Sequence, residues 1–248
     1  MTVLVTRPDP DNEATAEALR ARGFDVMLAP MLRFVAVGYS DQPDETYDAV
    51  LVTSANALRA CESAAISERL LALPLFAVGE QTSEAARRTG FRQVMTANSG
   101  SASLRDLVLK SVKGKIIGKQ ARLLYLAGAD LARDLAGELG AQGLTVMTQT
   151  TYRMLPTAEL PFDVGEAIAM GRIQAVLHYS RRSARAFVEA VRLAGVEISA
   201  LSIVQGCLSE SIAAVLRDAG ATRVIIPPRA DENALLDGLA RALRPAPR

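Results

Sequence analysis

Short aliphatic or β-branched runs, each followed by apolar residues at helical spacing, set the rhythm of this chain. Val3 to Thr6 is the first run; it stops at Arg7-Pro8, where Asp11 can cap a helix whose apolar face recurs at Ala14, Ala18 and Leu19 until Gly23. Phe24 to Ala29 reads as the next strand. Past a polar loop from Gly38 to Thr46, strands are expected at Ala49 to Thr53, Leu75 to Val78, Gln93 to Thr96 and Arg122 to Leu126. The intervening helices start near Asn56, cover Gln81 to Thr89 and Ser101 to Val112, and end near Gly140. The last third continues with helix Val164 to Met170, strand Ala175 to Tyr179, helix Ser183 to Leu193, strand Leu201 to Val204, helix Glu210 to Ala219, strand Arg223 to Ile226 and helix Asn233 to Leu243. Strands alternating with helices of this length predict parallel sheets covered on both faces.

Two stretches break the rhythm. Met31 to Val37 stays extended beyond its strand, and Gln149 to Pro156 (QTTYRMLP) is a Thr/Tyr-rich extended run. The chain also repeats itself: VLVTRPDPDNEATAEALRARGFDV resembles RLLYLAGADLARDLAGELGAQGLTV, AVLVTSANALRA resembles AVLHYSRRSARA, and EAARRTGFRQV resembles AAVLRDAGATRV. Two copies of one five-strand unit are implied. If 31–37 and 149–156 pair as an antiparallel ladder, 1–35 joins 157–248 in one discontinuous lobe and 38–149 forms the other. Two sequential lobes cut after about residue 120 would leave both extended runs unexplained, so the discontinuous arrangement is preferred. The expected fold class is α/β, with two flavodoxin-like parallel-sheet lobes joined by a two-stranded antiparallel ladder.

Charge narrows the partners. With 28 Lys+Arg against 27 Asp+Glu, the chain carries no electrostatic footprint of a nucleic-acid carrier. Half of the residues are hydrophobic but only 4% aromatic, with no Trp, which suits an aliphatic core of helices on sheets. Cys61 and Cys207 have no metal-ligand spacing and read as reduced thiols of a cytoplasmic protein. No apolar run approaches bilayer length, and the start lacks the pattern of a signal peptide, so no membrane partner is expected.

In open parallel sheets, ligands sit beyond the carboxyl ends of the strands. The residues falling there are Arg7, Thr53, Ser54, Gly79, Thr82, Gly128, Ser180, Ser183, Ser209 and Ser211. Small hydroxyls and backbone N–H groups at helix starts suit carboxylates, although Ser and Thr also cap helices with no ligand present. Arg7 follows a strand and could reach a ligand carboxylate. There is no GxGxxG, GxxxxGK[ST] or GxSxG motif, the single histidine, His178, has no partner for two-imidazole chemistry, and no carboxylate pair stands at strand ends. Tyr152, hydroxyls, amides and a few arginines remain.

The opening VLVTRP, the VTSANA junction, FAVGEQTSEAARRTGF, the TTYRMLP return strand and HYSRRSARAF together resemble the uroporphyrinogen-III synthase family across essentially the whole chain. The resemblance implies a cofactor-free, metal-free, monomeric enzyme that acts on the linear tetrapyrrole hydroxymethylbilane, with possible handover from hydroxymethylbilane synthase. It matches the family's functional tyrosine to Tyr152 and its binding positions to Ser54, Thr82 and Ser180. The chain departs from the family at CLSES, where a Gly followed by Thr is usual, leaving Ser209 and Ser211 as alternative donors, and at Arg181-Arg182. A two-lobed binding or sensor module is the alternative of a different class, because fold alone does not select function.

Overall fold

The structure is a computed structural model that describes residues 1–243 apart from 43, 63–65, 99 and 132. It divides into two compact units, Met1–Phe34 with Leu155–Arg248, and Val35–Met154.

In the first unit the chain opens with β1 (Thr2–Val5), α1 (Asp11–Arg20) and β2 (Asp25–Leu28), followed by β3 (Leu32–Ala36), which crosses into the second. The second unit holds β4 (Ala49–Val52), α2 (Ala55–Arg59), α3 (Glu68–Leu71), β5 (Pro74–Val78), α4 (Gly79–Thr89), β6 (Gln93–Ala97), α5 (Ser101–Lys113), β7 (Arg122–Gly128), α6 (Leu135–Gly140) and most of β8 (Thr145–Pro156). The return to the first unit brings α7 (Phe162–Ala169), β9 (Ile173–His178), α8 (Arg181–Leu193), α9 (Glu197–Ser202), β10 (Val204–Cys207), α10 (Glu210–Asp218), β11 (Val224–Ile225) and α11 (Glu232–Leu243).

Both sheets follow one plan. The first unit orders its strands β11-β10-β9-β1-β2, all parallel; the second orders β3-β8-β7-β4-β5-β6, parallel from β8 to β6. Superposing the orders makes β1 the counterpart of β7 and β9 that of β4, the pairs linked by the internal sequence repeats. The order along the chain is permuted: the first unit starts at the β1-type strand, the second at the β9-type strand.

Each sheet is covered on both faces because its central strands carry runs of consecutive apolar residues, such as VLV in β1, AVL in β9, AVLV in β4 and LLYLA in β7. Val3, Leu4 and Val5 are all fully buried. Leu4 faces Phe187, Val164 and Ile212 of α8, α7 and α10, whereas Val3 and Val5 face Leu19 of α1 and Leu235 and Leu239 of α11. In the second unit Leu51 and Leu123 pack with Leu104, Leu135 and Leu139 of α5 and α6, and Val50 and Val52 with Leu58, Leu70 and Ala86 of α2, α3 and α4. Each buried aliphatic side chain of this size contributes about 1.5–3 kcal/mol relative to exposure.

Strand β8 does two jobs. From Thr145 to Thr150 it runs parallel to β7. Farther on it lies beside β3: Val37 N–H donates to Thr151 O at 2.8 Å and Thr157 N–H to Met31 O at 3.0 Å, which fixes an antiparallel course. Between the two stretches the register slips, with Ala127 opposite Thr150 but Gly128 opposite Tyr152. Thr151 is the extra residue of a β-bulge, a device that re-aims the side chain after it.

One expectation is corrected. The strand expected at Leu201 to Val204 begins only at Val204, because Leu201 belongs to α9, which turns it into the core. An apolar run that joins a helix end to a strand start has no period of its own to mark the boundary.

Candidate active site

The bulge places Tyr152 where a cavity opens at the carboxyl edge of the second unit's sheet. A Cβ on Gly128 would lie 2.7 Å from Tyr152 Cζ and 2.9 Å from its Oη, so the phenol end of the ring rests on the Gly128 backbone. Gly128 has no left-handed φ; glycine is needed there for the ring's close approach and not for the turn. The inner side of Tyr152 packs with Leu124, Leu126 and their neighbours.

The cavity has a volume of about 320 Å3 and is lined by Thr53, Ser54, Val78, Gly100, Ser101, Tyr125, Gly128, Asp130, Leu131, Arg133 and Tyr152. All of these lie in the second unit. Thr53 Oγ1 and Tyr125 Oη are 3.0 Å apart. Burial, opposed by the Thr53 bond and reinforced by the Tyr152 phenol, pushes the Tyr125 phenol above its usual range, so it stays protonated at neutral pH. Ser54 caps α2, its Oγ accepting from Asn56 N–H at 3.3 Å. Arg133 is paired with Glu138, which Arg105 also contacts at 3.2 Å. A larger cavity, about 480 Å3, lies elsewhere in this unit, beside Leu58, Cys61 and Arg88, and contains none of the residues expected to act. The smaller one is therefore the chemical candidate.

Gly79 and Thr82 open α4 after β5 without lining this cavity. Gly79 has φ +74°, and Val78 in front of it supplies no side-chain cap, so the first N–H groups of α4 lack that partner. Thr82 is buried.

In the first unit the strand ends carry a different set. Ser180 caps α8, accepting from Ser183 N–H at 3.1 Å, with the two hydroxyls 2.8 Å apart. Ser209 precedes α10 without a side-chain cap bond, and its Oγ lies 3.1 Å from that of Ser211. Arg7 is already matched: its guanidinium lies 3.3 Å from Glu232 and 3.5 Å from Asp11, over the Tyr179 ring at 4.7 Å. Thr15 and Tyr179 donate to the same Glu232 oxygen at 2.6 and 2.8 Å. Burial first, then the Glu232 carboxylate, raises the Tyr179 phenol far above its usual range. Sequence reasoning missed Tyr125, Ser101 and Glu232; Glu232 is 225 residues from Arg7, and only the fold brings them together.

His178 is a core residue. It is fully buried, and its Nε2 lies 2.9 Å from Gln205 Oε1. The Gln205 amide nitrogen donates to Ala200 O and Ile203 O, so Oε1 is the acceptor and Nε2 carries the proton. Among the described residues no group of His, Cys, Asp or Glu side chains is disposed to hold a metal ion, and no helix is long and apolar enough to cross a membrane.

A protein-family model described as uroporphyrinogen-III synthase HemD matches residues 13–237. Among solved structures, the uroporphyrinogen-III synthetase of Helicobacter pylori is similar over 98% of this chain and 99% of that one, at 16% identity and a TM-score of 0.65. A mutant uroporphyrinogen III synthase from the extremely thermophilic bacterium Thermus thermophilus is similar over 98% of both chains, at 19% identity and a TM-score of 0.57. These likenesses concern the fold. No curated protein matches the chain by sequence.

Proposed function

We propose that in this chain, which belongs to the uroporphyrinogen-III synthase family, the cavity beside Tyr152 holds the reacting end of hydroxymethylbilane. The reaction is that of the family: a cyclising lyase of haem biosynthesis closes the linear tetrapyrrole to uroporphyrinogen III, with loss of water and inversion of ring D. The cavity's volume is at the low end for small-molecule sites, so it takes one end of the substrate and leaves the rest outside.

The observation that carries the proposal is the Tyr152 ring seated on Gly128 at the cavity. The terminal hydroxyl of hydroxymethylbilane departs with its bonding electron pair, and oxygen must receive a proton to leave as water. A phenol O–H aimed at that oxygen forms a hydrogen bond that strengthens as negative charge develops, which is what lowers a barrier. Loss of water leaves an electrophilic azafulvene. Attack by the substituted carbon of ring D gives a spiro intermediate, whose fragmentation and reclosure invert the ring. Free hydroxymethylbilane closes spontaneously without inversion, so the remaining demand is positional.

Carboxylates of the substrate are assigned to strand-end donors of the second unit: Thr53, Ser54 and the Gly128 turn at the cavity, and the start of α4 at Gly79 and Thr82; the first unit, taken by itself, offers anion donors of the same kind at Ser180, Ser209 and Ser211. Helix starts favour such anions. Arg7 joins this set only by sharing or leaving Glu232. The cavity is completed by one unit of one chain, which supports a monomeric enzyme, and both cysteines are free and buried, which supports a cytoplasmic one. The instability of the substrate favours direct handover from hydroxymethylbilane synthase.

The test is Tyr152→Phe, assayed with hydroxymethylbilane generated in place and the oxidised porphyrin isomers separated. The turnover number for type III product should fall about 10- to 100-fold with KM within about twofold, the scale of one charge-assisted hydrogen bond. Unchanged turnover with a raised KM would move Tyr152 from the chemistry to binding.

A further inference from the structure

Tyr125 is one of the cavity residues that neither the sequence pattern nor the family resemblance assigns, and it is the buried one whose hydroxyl bonds another lining residue. It sits on β7, 3% exposed, with its ring in the cluster of Leu51, Phe76 and Leu123. A phenylalanine would fill that space equally well. The added hydroxyl must be desolvated, which costs stability unless it is bonded, and its bond is to Thr53 Oγ1 at 3.0 Å. Both groups line the cavity that Tyr152 enters.

The pair has a direction. A phenol is the stronger acid and an alkyl hydroxyl the better acceptor, so the favoured arrangement has Tyr125 donating to Thr53. Exposure agrees: Thr53 is half-buried, Tyr125 almost wholly so. Two hydroxyls own two hydrogens, and their mutual bond uses one. The second is the hydrogen of Thr53, rotated away from Tyr125. A hydroxyl that accepts a hydrogen bond becomes a stronger donor through its own hydrogen, since linked bonds polarise each other.

We infer that Tyr125 is a positioning residue for the reaction: through Thr53 it aims a polarised O–H into the cavity, where that group meets a substrate carboxylate oxygen. This rests on the assignment of the cavity to substrate. Thr53→Val removes the aimed hydrogen, Tyr125→Phe removes what aims it, and Thr53→Ser keeps both.

The experiment is a double-mutant cycle measured as kcat and KM for type III product, with a melting temperature for every variant. Thr53→Val should raise KM about tenfold and Tyr125→Phe about three- to fivefold, kcat staying within about twofold in each. The double variant should be no worse than Thr53→Val alone. Thr53→Ser should keep a KM near that of the wild type and remain sensitive to Tyr125→Phe, which ties the effect to the hydroxyl and not to the threonine methyl. A Tyr125→Phe factor on KM that is the same in the wild-type and Thr53→Val backgrounds would overturn the inference, as would a lowered melting temperature with KM unchanged. An unchanged KM in Thr53→Val would overturn the cavity assignment itself. If Tyr125→Phe does not fold, the comparison of Thr53→Val with Thr53→Ser carries the test: a KM raised equally in both would overturn the inference, since only Thr53→Ser keeps the hydroxyl that Tyr125 bonds.

Discussion

Acidification should destabilise this protein through one buried imidazole. His178 is the only histidine in the chain, and burial, only partly opposed by the bond to Gln205, depresses its pKa from 6.5 to about 4. Its Nδ1 faces Thr6 Oγ1 at 3.5 Å, but that hydroxyl already donates to Leu177 O at 2.7 Å, and the Phe187 ring closes the edge with centroids 5.1 Å apart. Among the described residues no carboxylate is bonded to the ring to hold a proton there. Because the folded pKa lies below the unfolded one, the unfolded chain binds the extra proton between them. Stability is therefore full above about pH 6.5 and declines as pH falls towards 4. The full gap corresponds to about 3 kcal/mol at about 1.4 kcal/mol per unit, and the part lost between pH 7 and pH 5 is about 2 kcal/mol. Urea unfolding at pH 7, 6 and 5 should show that decline in the wild type. His178→Gln, which keeps a donor for Gln205 but does not titrate, should lack this share, so the difference between the two curves removes the carboxylates. Parallel curves, or a single-histidine NMR titration with its midpoint near 6.5, would refute the reasoning.

Other outcomes follow from the same geometry. Gly128→Ala puts a methyl into the Tyr152 phenol; because Tyr152 is only half-buried, its ring can swing outward, so turnover should drop at least tenfold while stability falls by only about 1 kcal/mol, as read by the porphyrin-isomer assay beside chemical denaturation. Cys61 and Cys207 have pKa values raised by burial to about 11 and about 12, so in the native protein both should resist alkylation by iodoacetamide at pH 8 and react only after denaturation; fast modification of the native protein would contradict their burial.

The sequence made the strand-end hydroxyls visible because capping is local: Ser54 and Ser180 lie two and three residues from the N–H groups they accept. It also made the repeat visible, since AVLVTS and AVLHYS occupy equivalent strands. What stayed hidden depends on pairs distant along the chain. In RLLYLAG, Tyr125 reads as one more buried strand residue, and its partner Thr53 is 72 residues away. The bulge at Thr151 has no sequence mark, for TTYRM alternates no differently from a regular strand, yet it decides which face Tyr152 presents. The α9 boundary is hidden for a similar reason, because Leu201 and Val204 are both buried, the first in a helix and the second in a strand, each in its own core cluster.

The permuted chain order has a consequence for synthesis on the ribosome. The second unit is contiguous, Val35–Met154, and can complete its sheet as soon as β8 emerges. Strand β1 must instead wait for β9, whose residue Val176 pairs with Leu4. At typical elongation rates of about 5–20 residues per second the delay is roughly ten to thirty seconds. During that interval Val3, Leu4 and Val5, later fully buried, have only β2 and α1 for cover, so this early segment offers a nascent-chain chaperone apolar surface to protect.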